Sequence, residues 1–114
     1  MKKVLLDTNF IITCIKEKID FFEYLELEGY TILIPDRVIR ELEKLKKNSA
    51  IKLLKKEKGK FQIVFIPGKN VDNSIINFSK KNPEIVIATL DREMRKKIRN
   101  PKMSVRKKKK LEII

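Results

Sequence analysis

Short apolar runs alternate along this 114-residue chain with stretches of helical periodicity, and that alternation restricts the fold more than any other feature. Val4-Leu5-Leu6, Thr31-Ile32-Leu33-Ile34, Phe61-Gln62-Ile63-Val64-Phe65-Ile66 and Ile85-Val86-Ile87-Ala88 read as strands. The first and last have no polar alternation, which suits parallel strands buried on both faces. Between them lie helical stretches: one after Thr8 and Asn9, a second over 19–28 ending at Gly29, and one capped by Asp36 running to about Lys47. Others run from Ser49 to Lys58, from Asp72 to near Asn82-Pro83, and through Met94 and Ile98, with Met103-Ser104-Val105 as a possible edge strand. Strands separated by helices predict an α/β fold with a central parallel sheet of four or five strands and helices on both faces. Phe10, Phe21, Phe22, Phe61, Phe65, Phe78 and Cys14 fall on apolar faces and read as core.

There is no internal repeat or linker, so residues 1–105 read as one domain, followed by a basic segment at 106–114. The net charge of +13 is concentrated: residues 92–110 hold eleven Lys or Arg against Glu93 alone. A basic end on a balanced body fits a polyanionic partner, and equally a solvated tail. No apolar run approaches the ~20 residues that span a bilayer. The opening meets Asp7 too early for a signal peptide, so a cytoplasmic protein without membrane contact is expected.

Histidine is absent and Cys14 is the only cysteine, which removes Ser-His-Asp triads, histidine bases, thiolate clusters and disulfides from consideration. Any metal ligands among the side chains must be oxygens, which favours Mg²⁺ or Mn²⁺, with Ca²⁺ as the further option. Asp7 and Asp91 stand just past the carboxyl ends of apolar strands, where open α/β sheets bind ligands. Asp72 opens a helix. Each of the three also reads as a helix N-cap, worth about 1 kcal/mol. Glu41 falls on the stripe of Val38, Leu42 and Leu45, where an unpaired carboxylate is costly. It either reaches water at the boundary or meets a cation beside Asp7. Converging carboxylates without histidine are what a metal-dependent phosphodiesterase requires, because the cation activates water and neutralises charge developing on the phosphate.

Together these motifs resemble the PIN domain, a small α/β metal-dependent nuclease module. Val4-Leu5-Leu6-Asp7-Thr8-Asn9 is similar to its strand followed by D-T-N. Ile34-Pro35-Asp36-Arg37-Val38-Ile39-Arg40-Glu41-Leu42 resembles its P-x-x-V-x-x-E-L helix. Val71-Asp72-Asn73-Ser74 and Ala88-Thr89-Leu90-Asp91 resemble the third and fourth acidic motifs. Asn73 departs from a pattern that often has a second aspartate there, and Asn100-Pro101-Lys102 lacks an expected glycine turn.

The resemblance implies Asp7, Glu41, Asp72 and Asp91 as the catalytic metal-binding set, with Asn9 and Thr89 as supporting groups and Mg²⁺ or Mn²⁺ as cofactor. It implies an endoribonuclease acting on RNA, closest to the PIN proteins of small-subunit ribosomal RNA processing and their short archaeal relatives. Arg92, Arg95, Lys96, Arg99, Arg106, Lys107, Lys108, Lys109 and Lys110 are the candidate RNA contacts. A non-cleaving RNA-binding assembly factor and a VapC-like toxin ribonuclease with an antitoxin partner are the alternatives. A homodimer is compatible with each.

Overall fold

The computed structural model describes residues 2–106 and 110–114, so the expectations for Lys107, Lys108 and Lys109 lie outside the described residues. Strand β1 (Lys2–Leu6) runs through the middle of the sheet, and Val4, Leu5 and Leu6 are fully buried. It is flanked by β2 (Tyr30–Pro35) and β4 (Val86–Ala88), both parallel to it. Outside these lie β3 (Gln62–Val64) beside β2 and β5 (Lys102–Arg106) beside β4, also parallel. With β6 (Lys110–Ile113) beyond β5, the full order is β3-β2-β1-β4-β5-β6.

Side-chain alternation along these strands feeds two cores. Val4, Leu6, Ile32, Ile34, Val86 and Ala88 join one, while Leu5, Leu33 and Ile87 join the other. Four helices supply the first: α1 (Thr8–Lys16), α2 (Phe21–Leu27), α3 (Asp36–Lys44) and α4 (Asn48–Lys56). The second is covered by α5 (Val71–Lys81) and α6 (Arg92–Lys97) through Ile75, Ile76 and Met94. A sheet covered on both faces explains why the central strands are apolar runs instead of alternating patterns. Among the described residues no helix is long and apolar enough to cross a membrane.

Several expectations are corrected. The parallel part of the sheet has five strands, β1 to β5, within the four or five expected, and Lys110–Ile113 extends it as β6, antiparallel to β5. Residues 110–113 of the basic segment are thus part of the sheet, with Leu111 buried between exposed Lys110 and Ile113. This also places β5 inside the sheet and leaves β6 at its edge. Asp36 does not cap α3; Pro35 occupies that position, and Asp36 Oδ1 instead accepts the Ile66 N–H at 3.3 Å. Asp72 does not cap α5, since Asn70 does so through a 3.1 Å bond from the Asn73 N–H. Leu45, read as inward, closes α3 and is half exposed, and Phe65, read as core, is 78% exposed just past β3.

The loop into α5 depends on one glycine. Gly68 has φ of +130°, and a Cβ there would collide with Ser74 Oγ, which donates to the Asn70 carbonyl at 2.7 Å. Both the backbone angle and the close approach require glycine. Gly68→Ala should lower stability by roughly 1–3 kcal/mol, read as a fall in urea midpoint at unchanged m-value.

Candidate functional site

Chain order reverses between β1 and β4: the strands number outward through β2 and β3 on one side and through β4, β5 and β6 on the other. In open α/β sheets a ligand crevice forms at such a reversal, outside the carboxyl ends of the two strands. Asp7 leaves β1 there, and Thr89 and Asp91 leave β4 there.

Asp7 accepts the Ile11 N–H through its carbonyl at 3.2 Å, and three further bonds fix it in the crevice. Its N–H donates to the Ala88 carbonyl at 2.9 Å, continuing the β1–β4 ladder by one residue. Its Oδ1 accepts the Thr8 N–H at 2.8 Å as the cap of α1. Its Oδ2 accepts the Thr89 hydroxyl at 2.8 Å. Thr89 Oγ1 in turn accepts the Asp91 N–H at 3.2 Å. A relay therefore runs from the Asp91 backbone through Thr89 to the Asp7 carboxylate. Asp91 also caps α6, with Oδ1 accepting the Glu93 and Met94 N–H groups at 3.0 and 3.2 Å. Capping and site-building coexist at Asp7 and Asp91.

The remaining two carboxylates come from opposite sides of the crevice. Glu41, half-buried on α3, lines a groove of about 250 Å³ with Arg37, Arg40, Lys44 and Val71. Asp72 is in the first turn of α5, its outer side exposed. The four act as one electrostatic set. Asp7 is pushed up to about 6, first by its burial and then by the charges of Asp72 and Glu41, against the downward pull of its bonds to Thr89 and Thr8. Asp72 is also raised, by partial burial first and then by Asp91 and Glu41, while Lys97 opposes the shift.

The donor chemistry fits a hard divalent cation: carboxylate oxygens alone, mutually repelling, with one deeply buried and without a cationic partner among the described residues. Thr8 Oγ1, buried beside Asp7, also has no hydrogen-bond partner among the described residues. As the side chains stand, no three of the described carboxylates are gathered closely enough to enclose one ion. Asp7 is held in place by its bonds, whereas Asp72 and Glu41 are less buried.

Asn9 is exposed on the first turn of α1. Arg92, Lys96, Arg99, Arg106 and Lys110 are exposed as expected of RNA contacts, although Lys96 and Arg106 pair with Glu93 and Glu112 at 3.6 Å. Arg95 is turned inward, donating to the Leu90 carbonyl at 3.0 Å. The cationic groove of Arg37, Arg40 and Lys44 was not anticipated, and the i, i+3, i+7 spacing of these residues on α3 is the signal that marks it. Cys14 is buried and its thiol is pushed up to about 12 by burial, so it is a core residue.

Comparison with known proteins follows the same line. The family model of a PIN-like domain matches residues 4–109. Ribonuclease VapC4 of Methanocaldococcus jannaschii is 32% identical over 127 residues, covering 99% of this chain and 97% of that protein. The rRNA-processing protein fcf1 of Schizosaccharomyces pombe is 34% identical over 101 residues, covering 84% of this chain but 53% of that protein. The solved PIN domain endonuclease Utp24 superposes with a TM-score of 0.84 at 30% identity, over 97% of this chain and 90% of that one.

Because Asp7 binds its proton more tightly when folded than when unfolded, the folded state gains stability from that proton only at low pH. Without metal, stability should therefore fall as pH rises from about 4 to about 6, by up to about 3 kcal/mol at 1.36 per pH unit. Asp7→Asn should remove this slope and melt at or above wild type at neutral pH. Thr89→Val, which strips a buried bond from a carboxylate, should cost roughly 1.5–3 kcal/mol in thermal denaturation.

Proposed function

This chain belongs to the PIN-like domain family, and from that premise we propose that it is a divalent-metal-dependent endoribonuclease acting on ribosomal RNA precursors. The observation that carries the reading is the Thr89 relay, which ties Asp7 to Asp91 at the sheet's reversal point, in electrostatic reach of Glu41 and Asp72. The relatives support the substrate class: one is named a ribonuclease, one an rRNA-processing protein and one an endonuclease.

Asp7, Glu41, Asp72 and Asp91 would hold Mg²⁺ or Mn²⁺, which when bound supplies charge neutralisation at the phosphate and a more acidic water. The protein's own contribution is orientation. Thr89 fixes Oδ2 of Asp7 in one orientation, and its bond to the Asp91 N–H sets the start of α6 relative to the same carboxylate. Ala88 fixes the backbone at that height. Burial of Asp7 keeps water from screening its charge, so the carboxylate binds a cation more strongly than an exposed one would. Arg37, Arg40 and Lys44 beside Glu41 offer phosphate contacts for the strand entering the crevice.

A second reading, a toxin ribonuclease with an antitoxin partner, is favoured by the match to VapC4 along nearly the whole of both chains. Growth arrest on expression, relieved by a neighbouring gene, would separate it from rRNA processing.

Purified protein should cleave single-stranded RNA with Mn²⁺ or Mg²⁺ and stop on chelation. Asp7→Asn and Asp91→Asn should each reduce cleavage by at least about a hundredfold, the scale of roughly 2.7 kcal/mol in the barrier. Full activity in excess EDTA, or from both variants, contradicts the mechanism. RNA binding without cleavage would favour the assembly-factor alternative.

A further inference from the structure

At the far end of α5 from Asp72, a cavity of about 410 Å³ lies between α5, α6 and the approach to β5. Its lining is Ser79, Lys80, Pro83, Lys97, Arg99 and Asn100, with no acid among them. The floor is rigid. Asn100 is buried and its Nδ2 donates to the carbonyls of Asn82 and Ile85 at 2.8 and 2.9 Å, joining the end of α5 to the start of β4. Ser79 is buried too, its hydroxyl committed to the Ile76 carbonyl at 2.6 Å. Lys80, Lys97 and Arg99 are exposed around this floor, and among the described residues none of them forms an ion pair.

The ordinary explanation is that lysines in the last turns of α5 and α6 offset the helix dipoles. Magnitudes argue against that as the whole account. Two helix ends carry roughly one negative charge between them, about half a charge each, and α6 is short. Three full cations on the cavity leave a substantial positive excess.

The cavity is also connected to the carboxylates. Asp72 and Ser79 are seven residues apart on α5, on one face and about 10 Å along its axis. Lys97 lines the cavity and also acts electrostatically on Asp72. A polyanion held at the carboxylates through a divalent ion can therefore place its next phosphates along α5 at this cationic cavity.

We propose that this cavity is a phosphate-binding subsite, holding the backbone of single-stranded RNA a few nucleotides from the carboxylates, with Lys80, Lys97 and Arg99 as its contacts. The inference rests on the RNA reading above. It predicts backbone contact, not base selection, since no aromatic side chain is among the described lining residues and Asn100 Nδ2 and Ser79 Oγ are already committed to main-chain carbonyls.

The test is anisotropy of a labelled oligouridylate across a salt series without divalent metal, comparing wild type with the exposed pair Lys80→Gln/Arg99→Gln. Lys55→Gln/Lys56→Gln, which removes the same charge from the end of α4, is the control. Each lost phosphate contact should flatten the log–log salt slope by roughly 0.7, so the cavity variant should lose about 0.7–1.4 and the control nothing. An unchanged slope, or an equal change in the control, overturns the subsite. Displacement of oligouridylate by polyglutamate from wild type but not from the cavity variant would assign the cavity to an acidic protein segment, which also overturns it. Wild-type cleavage is measured separately. Cleavage with an unchanged slope defeats the subsite alone, and a changed slope without cleavage defeats the nuclease reading alone.

Discussion

The hydrogen bond from Thr89 to the Asp7 carboxylate is the interaction on which the rest of the site depends. Burying a carboxylate without a countercharge is expensive, and the main offsets available to Asp7 are this hydroxyl and the Thr8 N–H. The bond spans the point where the sheet's connectivity reverses, so it is available only when β1 and β4 are paired in register. Because the same oxygen receives the Asp91 N–H, the helix that carries the basic residues of α6 starts from a position set by Asp7. Fold and site are thus joined at one hydroxyl.

Charge is arranged in layers around that point. A carboxylate set at the crevice is bordered by the cationic groove of α3 on one side and by the cationic ends of α5 and α6 on the other. Burial first, and then the repulsion of neighbouring acids, makes Asp7 and Asp72 both hold their protons more tightly than usual. A polyanionic substrate would meet favourable potential on either flank and meet the acids only where a divalent ion can mediate.

Much of this was legible in the sequence because it is local. The apolar runs ending at Asp7 and at Thr89-Leu90-Asp91 announce two buried parallel strands, and strand ends are where such sheets bind ligands. What escaped depends on tertiary partners. Leu111 and Ile113 alternate with charged neighbours over too short a span to stand out, and β6 forms because β5 offers an edge to pair with. Asp36 has a good capping identity, yet Ile66, thirty residues away in the chain, claims its oxygen. Asp72 lost the cap to Asn70 because the turn at Gly68 starts α5 earlier than the aspartate suggests. Phe65 is exposed because the strand ends at Val64, so periodicity carried past that residue assigns it a face it does not have.

Calorimetric titration of the metal-free protein with Mn²⁺, in two buffers of different ionisation enthalpy, tests the central claim most directly. A metal that needs the Asp7 carboxylate must displace its proton, so binding at pH 6 should release about half a proton per chain, falling to none by pH 8. Thr89→Val, which removes one of the bonds lowering the Asp7 pKa, should shift that release to higher pH. Absence of Mn²⁺ binding, or binding with no proton release at pH 6, would contradict the assignment of Asp7 as the centre of a cation site.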